Sequence, residues 1–216
     1  MQALVFDLDD TLYTLNRHRD YHLRRAWAPW LTTLSSQTQE LVIAAAVSQR
    51  IFFRDMAAFL QGYGIADDVN QQLCQRSRDS WFADLTFDVG VEALLDRLKL
   101  RYRLALITNG PSWTQRAKIE QLQLSRWFEY MVVSEEFGAE KPDPRIFAHV
   151  LTHMGVDATE SVMVGDNPDA DIRGAHAVGM RAIWITHAHL PYPDDLQPAW
   201  HQVTHVTQIS RLLEVE

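Results

Sequence analysis

Asp7, Asp9 and Asp10 follow the apolar run 3–6 at once, and Thr108 with Asn109 closes the run 104–107. Asp166, Asp169 and Asp171 come directly after the run 162–164. Lys141, one of three lysines with Lys99 and Lys118, stands in the stretch after the run 130–133. Any one of these clusters is ordinary loop and cap chemistry. Taken together, with a lysine in the right interval, they describe one reaction, phosphoryl transfer through an aspartyl phosphate. A carboxylate is a legitimate nucleophile toward phosphorus, provided that the charge around the phosphate is neutralised. Mg²⁺ does this with hard oxygen ligands, one or two carboxylates among them. An ammonium group and hydroxyl or backbone donors hold the remaining phosphate oxygens.

These residues need elements that converge. The runs 3–6, 104–107, 130–133, 162–164 and 182–185 are short and continuously apolar, the pattern of strands buried on both faces. Between them lie segments with apolar residues three and four apart, such as Val91, Leu94, Leu95 and Leu98, or Ile146, Val150 and Met154. Ser112 is expected to cap a helix running to about Leu124. Strands alternating with helices predict an α/β protein with a doubly wound parallel sheet. In such sheets ligands bind beyond the carboxyl ends of the strands, where every polar cluster falls.

Residues 14–84 contain no strand pattern and read as helices over 16–34, 38–61 and 67–82, broken at Gly62-Tyr63-Gly64. A helical block of that length is too long for one crossover, so it is expected to be an inserted helical cap (14–84) on a catalytic core (1–13 and 85–216).

Phe6-Asp7-Leu8-Asp9-Asp10-Thr11-Leu12 resembles the first motif of the haloacid dehalogenase-like (HAD) hydrolase superfamily. Thr108-Asn109-Gly110 is similar to its second motif and Lys141-Pro142-Asp143-Pro144 to its third. Val164-Gly165-Asp166-Asn167 through Asp171-Ile172-Arg173-Gly174-Ala175, with Gly179-Met180 behind, resembles the fourth. The resemblance covers about residues 1 to 190 and keeps the motifs in the family's order. It implies a Rossmann-like core, and the helical block lies where one subclass carries its cap. The short interval between Thr108 and Lys141 leaves no room for a later cap.

The resemblance implies roles for single residues. Asp7 would be the nucleophile and a Mg²⁺ ligand. Asp9 would protonate the leaving alcohol and then activate water, its backbone carbonyl also binding the metal. Thr108 and the Asn109 amide would hold the phosphate, and Lys141 would counter its charge. Asp166 would bind Mg²⁺ directly, while Asp171 would orient Lys141 or a metal-bound water. Asp169 and Asp10 receive no firm role. The dehalogenases that named the family lack the carboxylate that Asp9 provides, which favours phosphatase chemistry, with the nucleotidase and sugar-phosphate phosphatase branch nearest in feature order. A phosphomutase and a non-catalytic phosphometabolite-binding module are the alternatives.

Three His-x-x-x-His pairs, His18/His22, His149/His153 and His201/His205, are expected on exposed helix faces rather than around a metal. Trp27, Trp30 and Trp81, with Arg24 or Arg25, are candidate substrate contacts of the cap. The stripe Leu41, Phe52, Phe53, Met56, Phe59 and Leu60 is expected to be cap core.

The whole chain has 216 residues, 20 basic against 28 acidic, a net charge of −8. Such a surface repels nucleic acid and anionic membranes. Its longest apolar run, 41–47, is far short of the ~20 residues that span a bilayer. One cysteine, Cys74, excludes an internal disulfide and suits a reducing compartment. No basic stretch precedes the first apolar run, so no secretory signal is visible. The expectation is a cytoplasmic protein, monomer or small homo-oligomer, whose partner is a small phosphorylated molecule.

Overall fold

The computed structural model describes residues 1–187 and 190–214. The chain divides into two compact units, Met1–Thr14 with Phe87–Glu216, and Leu15–Thr86.

The first unit opens with strand β1 (Ala3–Phe6), buried along its whole length. The second unit follows as five helices, α1 (Leu15–Ala26), α2 (Ala28–Leu31), α3 (Ser36–Ser48), α4 (Phe53–Gln61) and α5 (Asp67–Ser80). The chain then returns to the first unit through α6 (Val91–Leu98), β2 (Arg103–Thr108), α7 (Ser112–Gln121), β3 (Tyr130–Val133), α8 (Ser134–Phe137) and α9 (Pro144–Met154). It ends with β4 (Ser161–Gly165), α10 (Arg173–Ala177), β5 (Arg181–Ile185), β6 (His201–Val203) and α11 (Ile209–Leu212).

The six strands form one sheet in the order β3-β2-β1-β4-β5-β6, and every pairing is parallel. The fold is therefore α/β with a Rossmann-like sheet. Successive strands are added outward from β1 on both sides, β2 and β3 on one and β4, β5 and β6 on the other, so β1 lies between β2 and β4. This crossing point is where ligands bind in open parallel sheets.

Alternation along the strands explains the core. Ala3 and Val5 of β1, Ala105 and Ile107 of β2 and Met163 of β4 pack with Ile146, Phe147, Val150 and Met154 of α9 and Ala175 of α10. Phe6, one residue on, faces the other way and meets Phe128 edge-on, 5.9 Å between ring centres. Helix α9 starts where Asp143 accepts from the Arg145 N–H and Pro144 takes the first turn. It ends at Gly155, whose φ of 61° is left-handed.

Several expectations need correction. The stretch 16–34 is two helices, divided at Trp27, and 38–61 divides around Arg50, whose φ is 52°. Strand β6 carried no sequence signal because only three residues form it and one of them is exposed. Ser112 is the first residue of α7 and not its cap; its backbone N–H donates to the Glu135 carboxylate at 2.6 Å. A carboxylate from α8 thus does the capping at this end.

His18 and His22 are buried, not exposed, and both rings meet Trp81 edge-on at 4.7 and 4.9 Å. His22 Nδ1 lies 3.1 Å from Asp84, and burial lowers its pKa despite that carboxylate. His201 and His205 are not on a helix: the first lies in β6 and the second precedes a short 3₁₀ turn. Only His149 and His153 stand on an exposed helix face, both against Tyr130. Trp27 and Trp81 are core residues of the second unit, Trp27 donating to Ser77 at 3.1 Å, so neither is free to meet a substrate. Leu41, placed in the core stripe, is exposed; Met56 and Leu60 are buried. Within the second unit a pocket of about 560 Å³ is lined by Arg17, Tyr21, Arg24 and Arg25 among others.

Candidate active site

β1 ends at Phe6, and Asp7 takes over with its backbone N–H donating to Val164 at 2.9 Å. The next strand on each side also ends in a polar group, Thr108 on β2 and the Gly165-Asp166 corner on β4. The register pairs Phe6 with Leu106 and with Val164. Side chains that follow three adjacent strands therefore emerge at one level.

Asp7, Asp166 and Asp171 are buried and offer oxygens that all lie within 4.8 Å of one another. Lys141 Nζ donates to Asp7 at 2.6 Å and to Asp171 at 2.6 Å. Asp171 reaches this position on a π-helical turn, Pro168–Ile172, which Asn167 caps by accepting from Asp169 and Ala170. The other oxygen of Asp171 accepts from the Asn167 N–H at 3.0 Å. Gly165 is required here, because a β-carbon at that position would collide with the Asp171 carboxylate.

Electrostatics follow from this crowding. Burial pushes Asp7 up to about 7; Lys141 opposes the rise, and Asp171 and Asp9 add to it. Burial, with repulsion from Asp7, Asp171 and Asp10, pushes Asp166 up to about 9. Burial disfavours the Lys141 ammonium, but Asp171 and Asp7 outweigh it and hold the lysine charged far above its usual range. Three buried carboxylates face one buried ammonium, an excess of negative charge that protons or a cation must offset. The donor set is hard oxygen throughout, which suits a small divalent cation such as Mg²⁺.

Asn109 does not point at this cluster with its amide side chain. That side chain makes two bonds with the main chain of Lys141, donating to its carbonyl and accepting from its N–H, each at 2.9 Å. The loop carrying Lys141 is thereby fastened to the end of β2. Thr108 is buried and its hydroxyl oxygen accepts from Gln115 Nε2, which leaves the hydroxyl hydrogen available to an acceptor.

Asp9 sits to one side, half-buried, in a setting the sequence did not announce. Lys118 Nζ lies 2.7 and 2.8 Å from its two oxygens. Gln115 Nε2 donates to it at 3.0 Å, and the Tyr13 hydroxyl donates to Oδ1. Burial raises the pKa of Asp9, but Lys118, with the hydrogen bonds of Tyr13 and Gln115, outweighs it and holds the group below the usual carboxylate range. Gln115 and Lys118 are three apart on α7 and share its buried side. That polar pair on an inward face was the available signal.

Asp169 is exposed and pairs with Arg173 at 2.8 Å, away from the cluster. Asp10 has a left-handed φ of 56°, and its carbonyl accepts from His187 Nε2 at 2.9 Å. The Trp184 indole donates to the Asp166 carbonyl at 2.8 Å and steadies the β4 loop.

The family model for haloacid dehalogenase-like hydrolases matches residues 1–179. The chain belongs to that family. It is 28% identical to the glyceraldehyde 3-phosphate phosphatase of Methanopyrus kandleri over 203 residues, 86% of this chain and 84% of that protein. It is 41% identical to the phosphoserine phosphatase of Thermus thermophilus over 108 residues, which is 50% of this chain and 43% of that one. The magnesium-bound HAD-hydrolase YfnB of Bacillus subtilis has the same fold, with a TM-score of 0.73 at 23% identity over 99% of both chains. No helix among the described residues is long and apolar enough to cross a membrane.

Proposed function

We propose that this protein is a Mg²⁺-dependent phosphatase that hydrolyses a small organic phosphate monoester, of the sugar phosphate or nucleoside monophosphate class, through an aspartyl phosphate on Asp7. The observation that carries this reading is Lys141 bridging Asp7 and Asp171 beside Asp166, with a second carboxylate, Asp9, two residues after Asp7. The relatives named as phosphatases support the same chemistry.

Asp7, Asp166 and the Asp9 carbonyl would hold the metal. When bound, Mg²⁺ supplies charge neutralisation and Lewis-acid contact for a phosphoryl oxygen. An Asp7 oxygen attacks phosphorus as the bond to the leaving oxygen breaks. Asp9 gives that oxygen its proton, releasing the alcohol. Water then attacks the phosphorus of the aspartyl phosphate and yields its proton to Asp9. The Asp7–phosphorus bond breaks, and inorganic phosphate leaves. At rest the Lys118 pair keeps Asp9 ionised, the form that accepts the proton of water. An incoming phosphate dianion brings negative charge that favours the protonated form needed for the first half. Thr108 donates its hydroxyl, Asn109 its main-chain N–H and Lys141 its ammonium to the phosphate. Asp171 keeps Lys141 in place.

The unit Leu15–Thr86 is proposed to be the cap that selects the substrate. It leaves the first unit directly after the Asp9–Tyr13 loop, and Thr14 at that junction donates to Asp88 beyond the return, at 2.6 Å.

Phosphate release from p-nitrophenyl phosphate and from a panel of sugar phosphates and nucleoside monophosphates, with chelator and with Mg²⁺, tests the reading. Inorganic phosphate is expected only with metal. Full activity in chelator would overturn the metal assignment. Transfer to a second sugar hydroxyl without net phosphate release would make the protein a mutase.

A further inference from the structure

Asp9 must present its carboxyl group to the leaving oxygen in one half of the reaction and to water in the other. A carboxylate on a loop has free rotation about two bonds, and misplacement by about 1 Å can cost ~10²-fold in rate. Asp9 is nevertheless fixed on three sides. Lys118 spans both of its oxygens, Tyr13 holds Oδ1 and Gln115 holds Oδ2. The same Gln115 Nε2 also faces the Thr108 hydroxyl oxygen and the Asn109 carbonyl, the latter 3.1 Å away, so its two hydrogens are shared among three acceptors. One face of α7 therefore couples the Asp9 loop to the end of β2. Lys118 is buried, and a buried ammonium without a carboxylate partner would be costly. Its place on that face is explained by Asp9.

We infer that Lys118, assisted by Tyr13 and Gln115, is a positioning residue that sets the orientation of the Asp9 carboxyl group for proton transfer. The inference rests on the phosphatase reading above, because Asp9 has a proton to transfer only in that chemistry. Lys118 does not touch the Asp7–Lys141–Asp171 cluster in any described contact. Its removal should leave phosphate binding and metal binding alone and act on kcat through Asp9.

The test is a double-mutant cycle on the full chain with Mg²⁺, using phenyl phosphate, a poor leaving group, and p-nitrophenyl phosphate, a good one. Lys118→Met is expected to lower kcat on phenyl phosphate by about tenfold or more, with KM unchanged and a smaller loss on p-nitrophenyl phosphate. In an Asp9→Asn background the same substitution should lower kcat no further, because residues that act as a unit are not additive. Lys118→Arg, which keeps the charge and the donors, should recover part of the loss. Tyr13→Phe deletes one hydroxyl and nothing else, so it serves if Lys118→Met fails to fold; it should show a smaller loss that also vanishes in the Asp9→Asn background. Losses that add in the double variant, or a raised KM at unchanged kcat, would overturn the inference and leave the phosphatase reading intact. An unsubstituted protein that releases phosphate from neither ester would overturn both.

Discussion

The carboxylate of Asp171 packs against the α-carbon of Gly165, in the space where any other residue would carry its β-carbon. Because Asp171 is also one of the two carboxylates on Lys141, Gly165 governs where the lysine ammonium sits. Gly165→Ala is therefore expected to displace Asp171, to cost about 1–3 kcal/mol through overpacking, and to cut phosphatase turnover as Lys141 moves. Thermal unfolding and steady-state kinetics read the two effects. An alanine variant with unchanged stability and unchanged turnover would show that Asp171 does not hold Lys141.

The two acids of the first loop should fail in different ways. Asp7→Asn is expected to abolish turnover and aspartyl-phosphate formation on every ester, since an amide is not a nucleophile here. Asp9→Asn should slow esters with poor leaving groups by ~10²–10⁴-fold, the usual weight of a positioned acid, and p-nitrophenyl phosphate by less. Equal losses on both kinds of ester would remove Asp9 from the acid role.

Metal-free stability should depend on pH in a definite direction. Asp166 is pushed from 3.8 up to about 9 in the folded chain, so the folded state holds a proton that the unfolded state has lost. Stability contributed this way is present at low pH and is lost as pH rises toward 9. The lowered pKa of His22 works in the opposite sense, but only below its ordinary value of 6.5. Between pH 7 and 9 the chelated protein should therefore lose Tm steadily, and Mg²⁺ should restore it most at the alkaline end. A Tm that stays flat in chelator across that range would mean that Asp166 is not in the crowded state described.

Residues of the second unit should separate into those that hold it together and those that sort substrates. Trp27 is fully buried, and Trp27→Ala is expected to cost about 3–5 kcal/mol. Tyr21 is exposed on the pocket shared with Arg17, Arg24 and Arg25. Tyr21→Ala should keep the Tm while shifting relative kcat/KM among phosphorylated metabolites by about tenfold, since ~1.4 kcal/mol suffices. An unaltered substrate ranking with intact stability would mean that this unit does not select substrate through that pocket.

Five of the six strands were legible in the sequence, because a strand buried on both faces must be apolar throughout and must end where its backbone meets a polar loop. That same ending exposed Asp7, Thr108 and Asp166 as a set, since carboxyl ends of parallel strands share one edge. What remained hidden were contacts made across helices. Periodicity states which face of α7 turns inward, and it does not say that the Asp9 loop waits there for Lys118 and Gln115. Nor does spacing alone tell a surface pair such as His149 and His153, set against Tyr130, from a buried one such as His18 and His22, which Trp81 covers and of which His22 also meets Asp84. Local chemistry follows from residue type and chain order, whereas burial and partner choice are decided when elements distant in sequence pack and exclude water from between them.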